Sequence, residues 1–225
     1  SASSAEAAAP LNWPSRVVDV AVERYDHHPP VVTAIDLRPG GVEFASAGDD
    51  HYVYLWRLFD GERLRRFRRH VDWVHALAFA PSGQTLASAG NDRRVVFWNV
   101  ESGETQFVFD DPRHTVTGLS WNSAGSLIAG TGFEDRLRLY DVGTQRIARE
   151  LPCPCADMRS VDFSPDDHWL AAGGRSGVVR LWNLAEGDAA TDLRVHRQRV
   201  RVVAFSPDGA FLVSAGEDRR GMPKV

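Results

Sequence analysis

The sequence is short of lysine: a single one, Lys224, stands among 225 residues, and arginine carries nearly all the positive charge. Arginine in place of lysine, together with abundant alanine, predicts a bacterial source with a GC-rich genome. Cysteine is scarce too. Cys153 and Cys155 sit in Pro152-Cys153-Pro154-Cys155, too close and too stiff for an easy disulfide, and no second Cys or His pair stands at zinc-ligand spacing. This usage reads as a stiff loop in a reducing compartment, which predicts a cytoplasmic protein. No apolar run approaches the ~20 residues that span a bilayer. The start, SASSAEAAAPLNWP, lacks a basic segment and an apolar segment, so it reads as a linker over 1–16 and not as a secretory signal. Its first residue is Ser1, which predicts an excerpt of a longer chain. A net charge of -4 argues against non-specific attraction to nucleic acid or to an anionic membrane.

What the chain has is a repeat. Trp56, Trp98, Tyr140 and Trp182 are spaced 42 residues apart, and one more step lands on Lys224. Six residues before each anchor stand Asp50, Asp92, Glu134 and Ser176, with Asp218 in the fifth copy. A histidine register runs His28, His70, Pro112, Pro154 and His196. The stretch His70–Asn99 shows the unit most plainly. Apolar alternation through Val74, Leu77 and Phe79 turns at Pro81-Ser82-Gly83, resumes through Leu86 and Ala89, and turns again at Gly90-Asn91-Asp92 into Val95-Val96-Phe97-Trp98. A fixed period of this length with four strands per unit predicts propeller blades.

Phe79-Ala80-Pro81-Ser82-Gly83, Phe163-Ser164-Pro165-Asp166-Asp167 and Phe205-Ser206-Pro207-Asp208-Gly209, with the Trp anchors, resemble the WD-repeat family over roughly 17–220. Only Tyr140-Asp141 keeps the Asp of the dipeptide. The resemblance implies an all-β propeller of four-stranded antiparallel blades. Complete blades are expected near 31–68, 73–110, 115–151 and 158–195, and a partial fifth over 200–220. There Gly221-Met222-Pro223-Lys224-Val225 replaces the apolar third strand, because proline cannot donate to a central ladder. Residues 221–225 are then a tail outside the repeat, and the ring is truncated or open. Residues 17–25 (VVDVAVERY) alternate as an outermost strand.

His28, Ser46 and Asp50 in one copy, and His70, Ser88 and Asp92 in the next, imitate a hydrolase triad. Their recurrence with Trp56 and Trp98 argues for a structural tetrad, a buried hydrogen-bond chain in the family, and against an enzyme. The copies holding Gly130 and Ala172 are expected to lean on apolar packing. The family often docks partners on the face carrying the loops that lead into each first strand. By register this gives Val31 and Thr33, Trp73 and His75, Thr115 and Thr117, Asp157 and Arg159, Arg199 and Arg201. Trp73, His75, Arg159, Arg199 and Arg201 are the candidate partner-binding residues, suited to an acidic peptide or a phosphate group.

A run of Arg63, Arg65, Arg66, Arg68 and Arg69 reads as protection of an edge strand, and His27 stands alone as a would-be metal ligand. No metal, cofactor or membrane partner is expected, and nucleic acid is not favoured. The function expected is a non-enzymatic scaffold for protein or peptide partners, with self-association through the incomplete ring edges as a further expectation. The alternatives are the sensor or regulatory propeller of a larger bacterial multidomain signalling protein and, more weakly, a propeller hydrolase.

Overall fold

The computed structural model describes residues 31–110, 113–154, 157–187 and 189–217. The strand expected at 17–25, the 1–16 linker, His27, His28, Asp218 and the 221–225 tail lie outside the described residues. Blade one comprises β1 (Val32–Leu37), β2 (Glu43–Gly48), β3 (Tyr52–Arg57) and β4 (Arg63–Arg68). Blade two holds β5 (Val74–Phe79), β6 (Thr85–Gly90), β7 (Val95–Asn99) and β8 (Thr105–Phe109). Blade three is built from β9 (Val116–Trp121), β10 (Leu127–Gly132), β11 (Arg136–Asp141) and β12 (Arg146–Pro152). Blade four has β13 (Met158–Phe163), β14 (Trp169–Gly174), β15 (Val178–Asn183) and β16 (Ala189–Arg194). The partial fifth has β17 (Val200–Phe205) and β18 (Leu212–Gly216). Each full blade is a sheet of four antiparallel strands in chain order, and β17 pairs β18 alone. The chain is thus an all-β propeller of four blades plus a partial fifth, and the described residues include no helix.

Apolar cores lie between blades. Val74, Leu77 and Phe79 of β5 pack on Ala45, Ala47, Val53 and Leu55 of blade one. Alanine on the second strand leaves room for the next blade's larger side chains. The seam between blades two and three is filled by rings, with Phe109 and Tyr140 centroids 4.7 Å apart and Trp121 edge-on to Phe97 at 5.7 Å. The other seams add polar ties. The Asp36 carboxylate accepts the Phe79 N–H at 2.6 Å, Ser120 Oγ accepts that of Phe163 at 3.3 Å, and Asp162 accepts that of Phe205 at 2.8 Å. Ala78 holds this register in blade two, and there Trp121 Nε1 donates back to the Ala78 carbonyl at 2.9 Å.

At the two ends these surfaces have no neighbour among the described residues. Ile35 and Leu37, the counterparts of Leu77 and Phe79, are 61% and 59% exposed, and Phe211 is 69% exposed at the other end.

Candidate functional site

The candidate face is built by a glycine and a bulge that recur in every copy. Gly48, Gly90, Gly132 and Gly174 end the second strands. A Cβ on any of them would lie 1.8–2.0 Å from the carbonyl oxygen of Val31, Trp73, Thr115 or Asp157. That close approach lets each carbonyl accept the N–H of the residue after the glycine, as in Asn91 to Trp73 at 2.8 Å and Arg175 to Asp157 at 2.8 Å. The first strand then slips register by one residue, between Val74 and Ala76 in blade two and between Met158 and Ser160 in blade four. The extra residue is His75 or Arg159, with Thr33, Thr117 and Arg201 in the same place elsewhere. A bulge re-aims a side chain out of the ladder, and of the candidate residues His75, Arg159 and Arg201 are re-aimed in this way, whereas Trp73 and Arg199 stand just before the first strand. The period-42 glycine was visible in the sequence, but the contact requiring it was not.

The re-aimed residues do unequal things. Thr33 Oγ1 bonds the Val74 carbonyl, and Thr117 Oγ1 bonds that of Met158 at 2.8 Å, so both threonines are spent on tying blades together. His75 Nε2 meets Asn91 Oδ1 at 2.9 Å, and the same Asn91 oxygen accepts from Thr115 Oγ1 at 3.3 Å. Trp73, 40% exposed, lies beside His75 with ring centroids 6.2 Å apart. The arginines are not loose. Asp157 forms an ion pair with Arg159 Nε at 2.5 Å and accepts a hydrogen bond from Arg199 Nη2 at 3.2 Å, and the Arg159 guanidinium stacks over the Phe133 ring at 4.6 Å. Arg201 Nε donates to Glu217 at 2.7 Å. One carboxylate shared by two guanidiniums leaves one positive charge in excess, so a small region stays electropositive. Asn91, Phe133 and Asp157 were not foreseen as organisers of this face.

The tetrad residues of blade two form one chain of bonds. Trp98 Nε1 donates to Ser88 Oγ at 2.8 Å, Ser88 lies 2.7 Å from His70 Nε2, and His70 Nδ1 lies 2.8 Å from Asp92. With Nδ1 donating to the carboxylate, Nε2 accepts from the serine hydroxyl, so every member is satisfied. Burial pushes the Asp92 carboxyl up, but the His70 ring and the Val71 and Arg94 N–H groups outweigh it and hold the group below the ordinary value. The polarity is that of a hydrolase relay, yet Ser88 is wholly buried and its oxygen already engages an indole, so no substrate reaches it.

The other copies satisfy the same positions differently. In blade one Trp56 Nε1 donates to Ser46 Oγ at 2.8 Å, and Asp50 accepts from Tyr54 Oη at 2.7 Å. Blade three does not rely on apolar packing alone, as the sequence suggested. Arg138, buried, bonds Glu134 at 2.6 Å and Glu150 at 3.0 Å, an ion triad in place of the missing histidine and serine. In blade four Ala172 stands where the serine would be, and the buried Trp182 Nε1 has no partner among the described residues. In the fifth copy His196 Nε2 meets Ser214 Oγ at 2.8 Å.

Among the described residues no group of three His, Cys, Asp or Glu is placed to hold a metal ion, and no helix is long and apolar enough to cross a membrane. No curated protein matches the chain. The WD40 family model, described as WD domain, G-beta repeat, matches residues 20–57, 61–99, 146–183 and 188–220, more than half of the sequence. The unmatched stretch 100–145 carries the first three strands of the copy holding Pro112, Gly130 and Glu134, which nonetheless folds as a four-stranded blade. Four matched repeats and blades of four antiparallel strands in chain order place this chain in the WD-repeat family, whose repeats generally serve as protein-interaction scaffolds.

Proposed function

We propose that the chain is a non-enzymatic cytoplasmic scaffold whose propeller, over 17–220, docks a protein or peptide partner on the face bearing Trp73, His75, Arg159, Arg199 and Arg201. The observation carrying this reading is the pairing of an exposed Trp73 with a His75 fixed by Asn91, beside the Asp157 cluster. An exposed indole on rigid backbone loses little entropy on binding, and Trp and Arg are the residue types that dominate binding energy. The excess guanidinium charge around Asp157 suits a partner carrying a carboxylate or phosphate.

The test is a pull-down from cells of the source organism with partner identification, followed by binding curves for Trp73→Ala and Arg199→Glu. Truncating a central indole is expected to weaken binding by about 2 kcal/mol, and reversing Arg199 to lower the association rate and its salt dependence. Wild-type binding by both variants would move the docking site elsewhere.

A further inference from the structure

The outermost strands of the four complete blades occupy one place in the repeat and differ in charge. β8 (TQFVF) has no charged residue, β12 sets Arg146 and Arg149 against Glu150, and β16 sets Arg194 against Asp192. β4 reads RLRRFR, four arginines and no acid, and Arg69 follows it. In a chain of net charge -4 this is a local reversal of sign. Arg65, Arg68 and Arg69 are exposed and make no ion pair among the described residues. They flank the strand on both sides: the Arg65 chain runs toward Gly103 of blade two, while Arg68 pairs across the ladder with Tyr52. β4 is terminal in its sheet among the described residues, so its outer backbone edge faces no strand there. At one end of it Arg68, Arg69, His51 and Tyr52, together with the buried Asp50, line a cleft of about 490 Å³.

We propose that the β4 edge takes an extended acidic peptide as a fifth strand, its carboxylates meeting Arg65 and Arg68 and one acidic side chain entering the cleft beside Arg69. An added strand gains main-chain hydrogen bonds along the edge, and its side chains alternate toward the two faces where these arginines stand. A guanidinium accepts a carboxylate in a two-bond fork. The same arginines repel a second β4, because like charges directly opposite one another destabilise a strand pair. The edge therefore rejects its own copy and selects a partner of opposite sign. Single-stranded nucleic acid fits less well, since it needs rings to stack on and the aromatic of this strand, Phe67, is buried in the core.

The experiment is fluorescence anisotropy on the 225-residue protein with a labelled peptide of about ten residues repeating Glu-Glu-Thr-Thr, which sets glutamates on both faces of a strand and matches the length of an edge strand. Two further peptides carry N-methyl groups on complementary alternate amides. A bound strand turns alternate amides toward the edge, so one methylated peptide is expected to lose about tenfold in affinity while the other binds like the parent. Arg65→Glu with Arg68→Glu is expected to abolish binding with an unchanged melting temperature. No binding, equal binding by both methylated peptides, or tighter binding of oligothymidylate would overturn strand addition. The methylation arm needs no protein variant, so it decides the matter even if the double reversal unfolds.

Discussion

Trp182 offers a direct test of how the repeat is held together. Its indole N–H is buried with no partner among the described residues, whereas Trp56 and Trp98 donate to Ser46 and Ser88 at 2.8 Å. The ladder places Ala172 opposite Arg180 as Ser88 lies opposite Val96, and Leu170 opposite Trp182 as Leu86 lies opposite Trp98. A serine at 172 therefore puts its oxygen where the indole points. An orphaned buried donor costs about 1–3 kcal/mol, and a hydrogen bond regained there returns the larger part of it. The new hydroxyl proton has no histidine to receive it, because Pro154 holds that register, so the net gain of Ala172→Ser is about 1 kcal/mol. For a domain of this size that is a rise of about 2–4 °C in melting temperature. Calorimetry on Ala172→Ser, alone and with Trp182→Phe, isolates the bond: the gain should vanish in the double variant. A serine that destabilises the protein, or a gain that survives removal of the indole, refutes the reasoning.

Ser88→Ala, the converse change, strands both Trp98 and His70 and should cost about 1–3 kcal/mol in urea melts. Gly90→Ala is expected to lose about 1–3 kcal/mol or more, because its methyl group would lie 1.9 Å from the Trp73 carbonyl oxygen; a melting curve like the parent's would show that the bulge can yield. Arg138→Ala leaves Glu134, whose side chain is 10% exposed, without its partner and should cost about 3 kcal/mol, measured the same way. Burial raises the Asp36 and Asp162 carboxyls, and their N–H bonds lower them only in part. The folded state then binds those protons more readily than the unfolded chain, so both groups lose stability as pH rises above about 4. Asp92, held low, acts in the opposite sense: its contribution is present above about pH 4 and disappears as pH falls through its folded value. Asp36→Asn with Asp162→Asn removes both charges while keeping at each site one oxygen for the Phe79 or Phe205 N–H, and should stabilise the protein at pH 7; a loss there, seen in urea melts across pH, would show that the second acceptor oxygen or the charge itself is needed.

The repeat was legible because apolar alternation and turn residues are local signals. The strands run where the 42-residue period placed them, β3 from Tyr52 and β14 from Trp169. Recurrence argued for a structural role of His70, Ser88 and Trp98, and their linkage as a bond chain was what the resemblance to the WD-repeat family implied. What each acidic turn residue bonds to was not legible, since that is decided across the ladder: Asp50 takes Tyr54, Glu134 takes Arg138, and only Asp92 takes a histidine among the described residues. The candidate arginines looked like free charges for a similar reason. Asp157, which pairs with two of them, stands 42 residues from Arg199 and reaches it only when blades four and five are side by side.

The seam between the second and third blades, filled with rings and lacking the forward-reaching carboxylate or hydroxyl found at its neighbours, gives the array an uneven response to temperature. Apolar association weakens on cooling, whereas a carboxylate-to-amide tie does not share that dependence. Cold should thus part the chain into two cooperative units, blades one and two on one side and blades three to five on the other. Amide exchange would accelerate first along β9 and the strands facing it.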